Sequence, residues 1–359
     1  MRHSANLDLL RTVAVSAVLV DHLMSTLHIH AGYTNMDVLD FFSSIGQAGV
    51  LAFFVHTSLV LMYSLERLHA VYPKVTWRFY VRRIFRIYPL AIFTVLLAFA
   101  FHVPSFTWRD SPQITTGILV ANLLLVQNVI YKVSVVAPLW SLPYEVQMYV
   151  VLPALYLLTR YKKSFLYIAT LLVLFYGLGF LLWGMGHLGM AAFIPYFLSG
   201  VLAYTLRNRQ KRAIPAFLWT PFLLILLAIF CWANMYPGDS PIMQTPTFWS
   251  AWIFGLVLAF SINAFKESKS QVSNVVAEKI ALYSYGMYLL HLPVLYLVFV
   301  KLEVPHMALA IVLYFVLTGV GSIVTFHLLE SPFINLGKKL SSKGKFRGAK
   351  DMEPVLPAP

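Results

Sequence analysis

Apolar stretches long enough to cross a bilayer recur from Leu7 to the region of Glu330, with only short polar gaps between them. A helical crossing takes about 20 consecutive apolar residues. Only 11% of the residues are charged, against roughly 25% in a soluble domain, so the solvent for most of this chain is lipid. The fold class expected is an all-α integral membrane protein, a bundle of about ten transmembrane helices. The hydrophobic runs put them near 8–28, 45–65, 87–103, 140–159, 165–183, 189–206, 216–235, 247–265, 280–300 and 307–329. Met1 to Asp8 lacks a charged region followed by a small-residue cleavage site, so the first run reads as a retained helix and not a signal peptide.

A further apolar stretch, 114–131, carries Asn122, Gln127 and Asn128. If it does not cross, both termini share a side, and of the 27 Lys and Arg only Arg109, Lys132 and Lys301 face the other way, leaving 24. If it crosses, the first three spans flip and the division falls to 17 against 10. Because cytoplasmic segments are enriched in Lys and Arg, the ten-span arrangement with both termini cytoplasmic is the expectation. Segment 104–139 then stays outside or dips in as a re-entrant segment, which requires protein or water to satisfy its backbone. The main cytoplasmic loops are expected at 66–86 and 207–214. Residues 1–334 read as one transmembrane domain, and 335–359 as a basic, disordered tail.

Cys231 is the one cysteine, which excludes an internal disulfide framework or a thiolate cluster. The net charge of +13 is accounted for by topology and is not read as nucleic-acid binding. No internal repeat of the kind common in transporters is visible.

Ionisable groups within apolar spans mark functional sites by default. Arg11 and His22 are eleven residues apart, a rotation of about 1100°, or about 20° after whole turns, so they share one stripe of the first helix. Asp8 lies within about 40° of it, and Asp21 points about a quarter turn away. Counting residues inward from each side gives His22 and Glu145 a similar depth. An imidazole with a carboxylate partner is held in one tautomer and made more basic, as a general base requires. His56 and His291 also lie within spans, but nothing in the spacing brings them to His22 as a zinc site, and no metal is expected.

In order, the chain contains LDLLRTVAVSAVLVDH, GVLAFFVH, FYVRRIFRIYPL, LWSLPYEVQMYVVLP, YSYGMYLLHLPV and LLESPF. It thereby resembles, over about residues 5–335, acyltransferase family 3, the polytopic membrane O-acyltransferases of bacterial surface carbohydrates, lipopolysaccharide, signalling oligosaccharides and some antibiotics. The resemblance implies transfer of an acyl group, foremost acetyl, from cytoplasmic acyl-CoA to a hydroxyl of a cell-surface or exported carbohydrate or glycolipid. It implies a multi-pass protein of the bacterial inner membrane with no permanently bound cofactor. The family's first-helix histidine, its catalytic base or acyl-accepting group, corresponds to His22 and its arginine to Arg11, and its basic motif corresponds to Arg82, Arg83 and Arg86; Arg11 and these three are the expected donor-binding residues. Its central motif corresponds to Trp140, Ser141, catalytic Glu145, Gln147 and Tyr149, and its late motif to Tyr285, Gly286, Tyr288 and His291.

Two departures stand out. Val55, His56, Thr57 and Ser58 follow Phe53 and Phe54 where the family often has Ser-Gly, and Val146 replaces a second glutamate. Tyr33, Trp108 and Tyr131 are candidate sugar platforms. The alternatives are a secondary transporter using Arg11, His22 and Glu145, or a non-catalytic relative that binds a polymer. The topology is checked by a cysteine introduced beside Arg109, which an impermeant thiol reagent should label in intact cells; labelling only after permeabilisation would reverse the orientation.

Overall fold

The computed structural model describes residues 4–30, 32, 36–72, 74–104, 113–130, 133–184, 192–234 and 248–342. Among them are twelve α-helices and no β-strand: α1 (Ala5–His30), α2 (Met36–Val71), α3 (Val75–Ala100), α4 (Thr116–Leu123), α5 (Leu142–Leu158), α6 (Ser164–Gly184), α7 (Ile194–Leu206), α8 (Trp219–Ala233), α9 (Phe248–Ser261), α10 (Gln271–Leu295), α11 (Met307–Thr325) and α12 (Ser331–Ser341). Six helical stretches are long and apolar enough to cross a membrane: Ala5–His30, Val38–Val71, Val75–Ala100, Ala216–Ala233, Gln271–Lys301 and Met307–Ser341. Three shorter apolar helices accompany them, Ser164–Gly179, Ile194–Leu206 and Ser250–Ser261.

Polarity is reversed relative to a water-soluble bundle. On α11, Val312, Val316, Val320 and Ile323 are exposed while Thr318 and Ser322 are buried. Apolar side chains cost nothing against lipid, whereas hydroxyls there need an internal acceptor. Ser322 finds one in the Thr318 carbonyl, at 2.6 Å.

The chain forms two compact units. The first comprises Met1–Glu66 and Val150–Ala281. Within it the start of α1 is anchored by its neighbours: the buried indole of Trp219 donates to the Asn6 carbonyl at 2.9 Å, and the Asn6 amide donates to the Lys266 carbonyl at 2.9 Å. Farther along, α1 meets α2 through small residues, as membrane helices do when van der Waals contact drives association. A Cβ at Gly49 would press on the Ala14 carbonyl, and one at Gly46 would overlap the Asp21 carboxylate. The sequence after Phe54 lacks the family's glycine, yet a close approach is made there from the opposite helix. Gly200 of α7 lies so near Ser58 and the Val55 carbonyl that a Cβ would overlap both, and Phe54 stacks on Phe197 with centroids 4.5 Å apart.

The second unit comprises Arg67–Tyr149 and Leu282–Pro359, with α3 as its spine. Segment 66–86, expected as a loop, is instead mostly helix, divided between α2 and α3. Arg and Lys are good helix formers, and charge alone does not mark a loop. Helix α4 has 8 residues and is about 12 Å long, too short to cross a core of about 30 Å. Its Asn122 amide is fully used: it donates to the carbonyls of Ile118 and Val133, each at 2.9 Å, and accepts from the Val135 N–H at 3.0 Å. The polar residues that weakened this stretch as a span thus satisfy the irregular backbone after it.

Residues 335–341, expected within a disordered tail, belong to α12. This helix buries Ile334, Gly337 and Ser341 and packs along α3, where a Cβ on Gly337 would crowd Phe85 at 2.8 Å. A π-helical turn, Phe326–Glu330, joins α11 to α12. Pro332 follows it and has no N–H for a regular helical bond to Leu328.

These contacts predict opposite effects for two glycines. Gly200→Ala should cost about 1–3 kcal/mol by overpacking, read as a lowered unfolding midpoint in detergent. Gly177→Ala in α6, where a Cβ would meet nothing within 4 Å, should be neutral or stabilising by up to about 1 kcal/mol.

Candidate active site

The residues singled out in the sequence fall into two groups, one in each unit. In the first unit, Asp8, Arg11 and His22 stand on α1, which is one unbroken α-helix, so the rotation that put Arg11 and His22 on one stripe applies. Arg11 lies within electrostatic reach of buried His56. His22 Nδ1 is 3.0 Å from the Val18 carbonyl. A carbonyl only accepts, so Nδ1 carries the hydrogen and the neutral ring has its lone pair on Nε2. Asp21 Oδ2 is 3.4 Å from the same Nδ1, and its other oxygen accepts from the Ser25 hydroxyl at 3.4 Å. Gly46 leaves room for this carboxylate. Rotation along the helix had set Asp21 apart from His22; adjacency in sequence was the signal that would have found it.

In the second unit the basic, central and late motifs converge. Arg82, Arg83 and Arg86 of α3 are joined by Glu145 and Tyr149 of α5: the Tyr149 hydroxyl donates to Glu145 Oε1, and Arg83 lies in the field of both. The 3-10 turn Ala137–Trp140 leads into α5. Its Pro138 carbonyl accepts from Ser141 and from Tyr288, at 3.3 and 3.0 Å, and the two hydroxyls are 2.8 Å apart. Tyr285 donates to the Ile87 carbonyl at 2.8 Å, tying α10 to α3. His291 is fully buried on α10, with Nδ1 3.2 Å from the Met287 carbonyl. Trp140 is half-buried, its ring edge-on to Tyr144 at 6.1 Å. Gln147 exchanges amide bonds with Asn128, at 2.9 and 3.3 Å, which fixes the chain after α4 to α5.

Sequence reasoning gave Glu330 no role. It is completely buried, 3.9 Å from Arg86 Nη1. Its position in an apolar stretch, in the LLESPF motif, was the available signal. Tyr33, Trp108, Arg109, Tyr131 and Lys132 lie outside the described residues.

The six motifs run in family order, and a family model for an acyltransferase domain, that of acyltransferase family 3, matches residues 4–327. The chain belongs to this acyltransferase 3 family. No curated protein and no solved structure matches it. The protein is accordingly a membrane acyltransferase, and its described residues include an imidazole beside a carboxylate and a guanidinium cluster next to a tyrosine-bound glutamate.

A buried ion pair loses more when one member is removed than when both are. Glu330→Leu should therefore destabilise this acyltransferase by about 3 kcal/mol, whereas Arg86→Met with Glu330→Leu should recover a large part of that loss. A double-mutant cycle of denaturation midpoints checks the coupling.

Proposed function

We propose that this acyltransferase moves an acyl group, foremost acetyl, from cytoplasmic acyl-CoA to a hydroxyl of a cell-surface or exported carbohydrate. The reading includes ten membrane spans, both termini in the cytoplasm, and residence in a bacterial inner membrane, supported by the 24 to 3 division of Lys and Arg under the positive-inside rule. Residues 1–334 would be the acyltransferase domain.

One observation carries the donor assignment. Arg83 Nε and both Nη atoms of Arg86 are buried with no hydrogen-bond partner among the described residues. Guanidinium groups kept from water but not consumed by protein acceptors suit phosphate, which takes charge-assisted, often bidentate, hydrogen bonds. The donor's phosphates are assigned to Arg82, Arg83 and Arg86, and Arg11 to its pantetheine arm.

His22 is the general base. Its Nε2 takes the proton of the acceptor hydroxyl, and the oxygen attacks the thioester carbonyl to form a tetrahedral intermediate. Collapse of that intermediate breaks the C–S bond, and the leaving thiolate receives the proton from the imidazolium, so that ester and thiol are the products. Asp21 beside Nδ1 favours the cationic ring that forms, as the acidic member of a hydrolase triad does. Glu145, expected from sequence to be the carboxylate partner of His22, accepts from Tyr149 near Arg83 and is assigned a separate acidic role in catalysis, while Asp8, Trp140, Ser141, Tyr149, Tyr285 and His291 support these groups or the substrates.

The test is transfer of a radiolabelled acetyl group from acetyl-CoA to surface carbohydrate by purified, reconstituted protein. His22→Ala should lower the rate by about 100-fold or more. Replacing Arg82, Arg83 and Arg86 together should raise the Michaelis constant for the donor more than for the acceptor. Undiminished transfer by His22→Ala would remove the base, and carbohydrate flux without acylation would make the protein a transporter.

A further inference from the structure

The family match ends at residue 327, and α12 lies wholly beyond it. The helix is nevertheless bound to α3 along its length. The Arg82 Nε–H donates to Ser341 Oγ at 2.9 Å, and Arg78 donates to the Ser341 carbonyl. Gly337 meets Phe85, Phe333 stacks on the same ring at 6.4 Å, and Glu330, just before α12, faces Arg86. Residue numbers fall on α12 as they rise on α3, so the two helices run antiparallel.

In that register Lys338 comes beside the basic motif, within electrostatic reach of Arg82, Arg86 and Arg83. Its neighbour Lys339 is exposed, whereas Lys338 is half-buried. The carboxylates described around this group are Glu145, which accepts from Tyr149, and Glu330, which faces Arg86. Four cations therefore converge on two carboxylates. Like charges repel strongly when water is excluded, and a fold that brings them together without an equal number of anions has left a place for one. A second observation points the same way: Arg86 is 6% exposed, and its Nη atoms have hydrogens to donate and no described acceptor.

We propose that Lys338 is the fourth cation of an anion site built with Arg82, Arg83 and Arg86, and that this site takes the pyrophosphate of the acyl donor. The identity of the ligand rests on the donor reading above; the site itself rests on α12. Ser341 holds the Arg82 guanidinium in place, and Gly337 lets α12 come near enough to α3 for a lysine to join the group. The tail read from sequence as disordered thus contributes a ligand-binding helix.

The site is tested on the full-length protein in phosphatidylcholine nanodiscs by titration calorimetry with inorganic pyrophosphate and with coenzyme A. Lys338→Gln should weaken both ligands about tenfold, the scale of one charge-assisted contact. Lys338→Arg should retain wild-type affinity, which also shows that position 338 tolerates replacement, and Lys339→Gln should change nothing. Unchanged affinity in Lys338→Gln, or an equal loss in Lys339→Gln, would overturn the proposal.

Repeating the titration in discs containing phosphatidylglycerol separates the two sources of phosphate. Pyrophosphate that still binds through Lys338 supports a soluble donor. Pyrophosphate displaced by the anionic lipid in wild type but not in Lys338→Gln would assign the site to a lipid headgroup and overturn the donor. A protein that binds pyrophosphate through Lys338 but transfers nothing from acetyl-CoA would keep this site and refute the proposed function.

Discussion

Burying guanidinium groups is costly for the second unit, and its internal arrangement follows from the need to compensate for it. An unpaired charge in a low-dielectric interior is penalised by several kcal/mol even after relaxation, so each arginine of α3 has drawn a different group to itself. Arg78 lies over the Tyr72 ring at 4.4 Å and reaches the Ser341 carbonyl at the end of α12. Arg82 is fixed by the Ser341 hydroxyl. Arg83 lies near the Glu145–Tyr149 pair, and Arg86 faces Glu330. The π-helical turn before α12 belongs to the same arrangement, since it ends at Glu330 and carries that carboxylate into the interior. Helices α5, α12 and the turn before α12 thus meet α3 for an electrostatic reason as well as a steric one.

The first unit solves a different problem, that of holding the His22 imidazole in a useful state. A histidine in an apolar helix can rotate, change tautomer or bond to its own backbone. His22 bonds to the Val18 carbonyl one turn back, an acceptor that suits the tautomer with the hydrogen on Nδ1 and Nε2 as the basic atom. That bond is available at any position of an α-helix. Not generic to a helix is a buried acid immediately before the histidine, with a glycine on α2 making room for it. The anchoring of α1 by Trp219 and the 266–268 segment through Asn6 keeps the whole helix, and with it the Arg11 stripe, in place.

Much of this was legible in the sequence, for physical reasons that differ from one element to the next. The apolar helices were visible because hydropathy over about 20 residues is a property of each segment alone. The Arg11–His22 stripe was legible because an unbroken helix turns by a fixed angle. The failure of 114–131 to read as a clean span was announced by Asn122, Gln127 and Asn128, which the structure uses as cross-links. Glu330 against Arg86 was hidden: the two are far apart in the chain, and no periodicity links them. Helix α12 was hidden by its surroundings, because an eleven-residue helix followed by a basic, proline-containing end averages to the composition of a disordered tail. The basic 66–86 segment was misread for a related reason, charge being taken as a sign of loop where it was the polar part of two long helices.

That misreading bears on what the arginines are for. Charges that serve only to orient a membrane protein work at the surface, where water solvates them at little cost. Arg78 and Arg86 are 7% and 6% exposed, and they lie on a helix continuous with a membrane-length apolar stretch. A purely topological role does not require their burial, since exposed residues such as Lys74 carry the same sign at the start of that helix. Burial of like charges is instead what an anion-binding site requires: the cations must be held together before the ligand arrives, and kept from water so that each contact is strong. In the proposed orientation the same residues count toward the positive side of the membrane. Under the proposed donor site, orientation and ligand binding are two consequences of one placement.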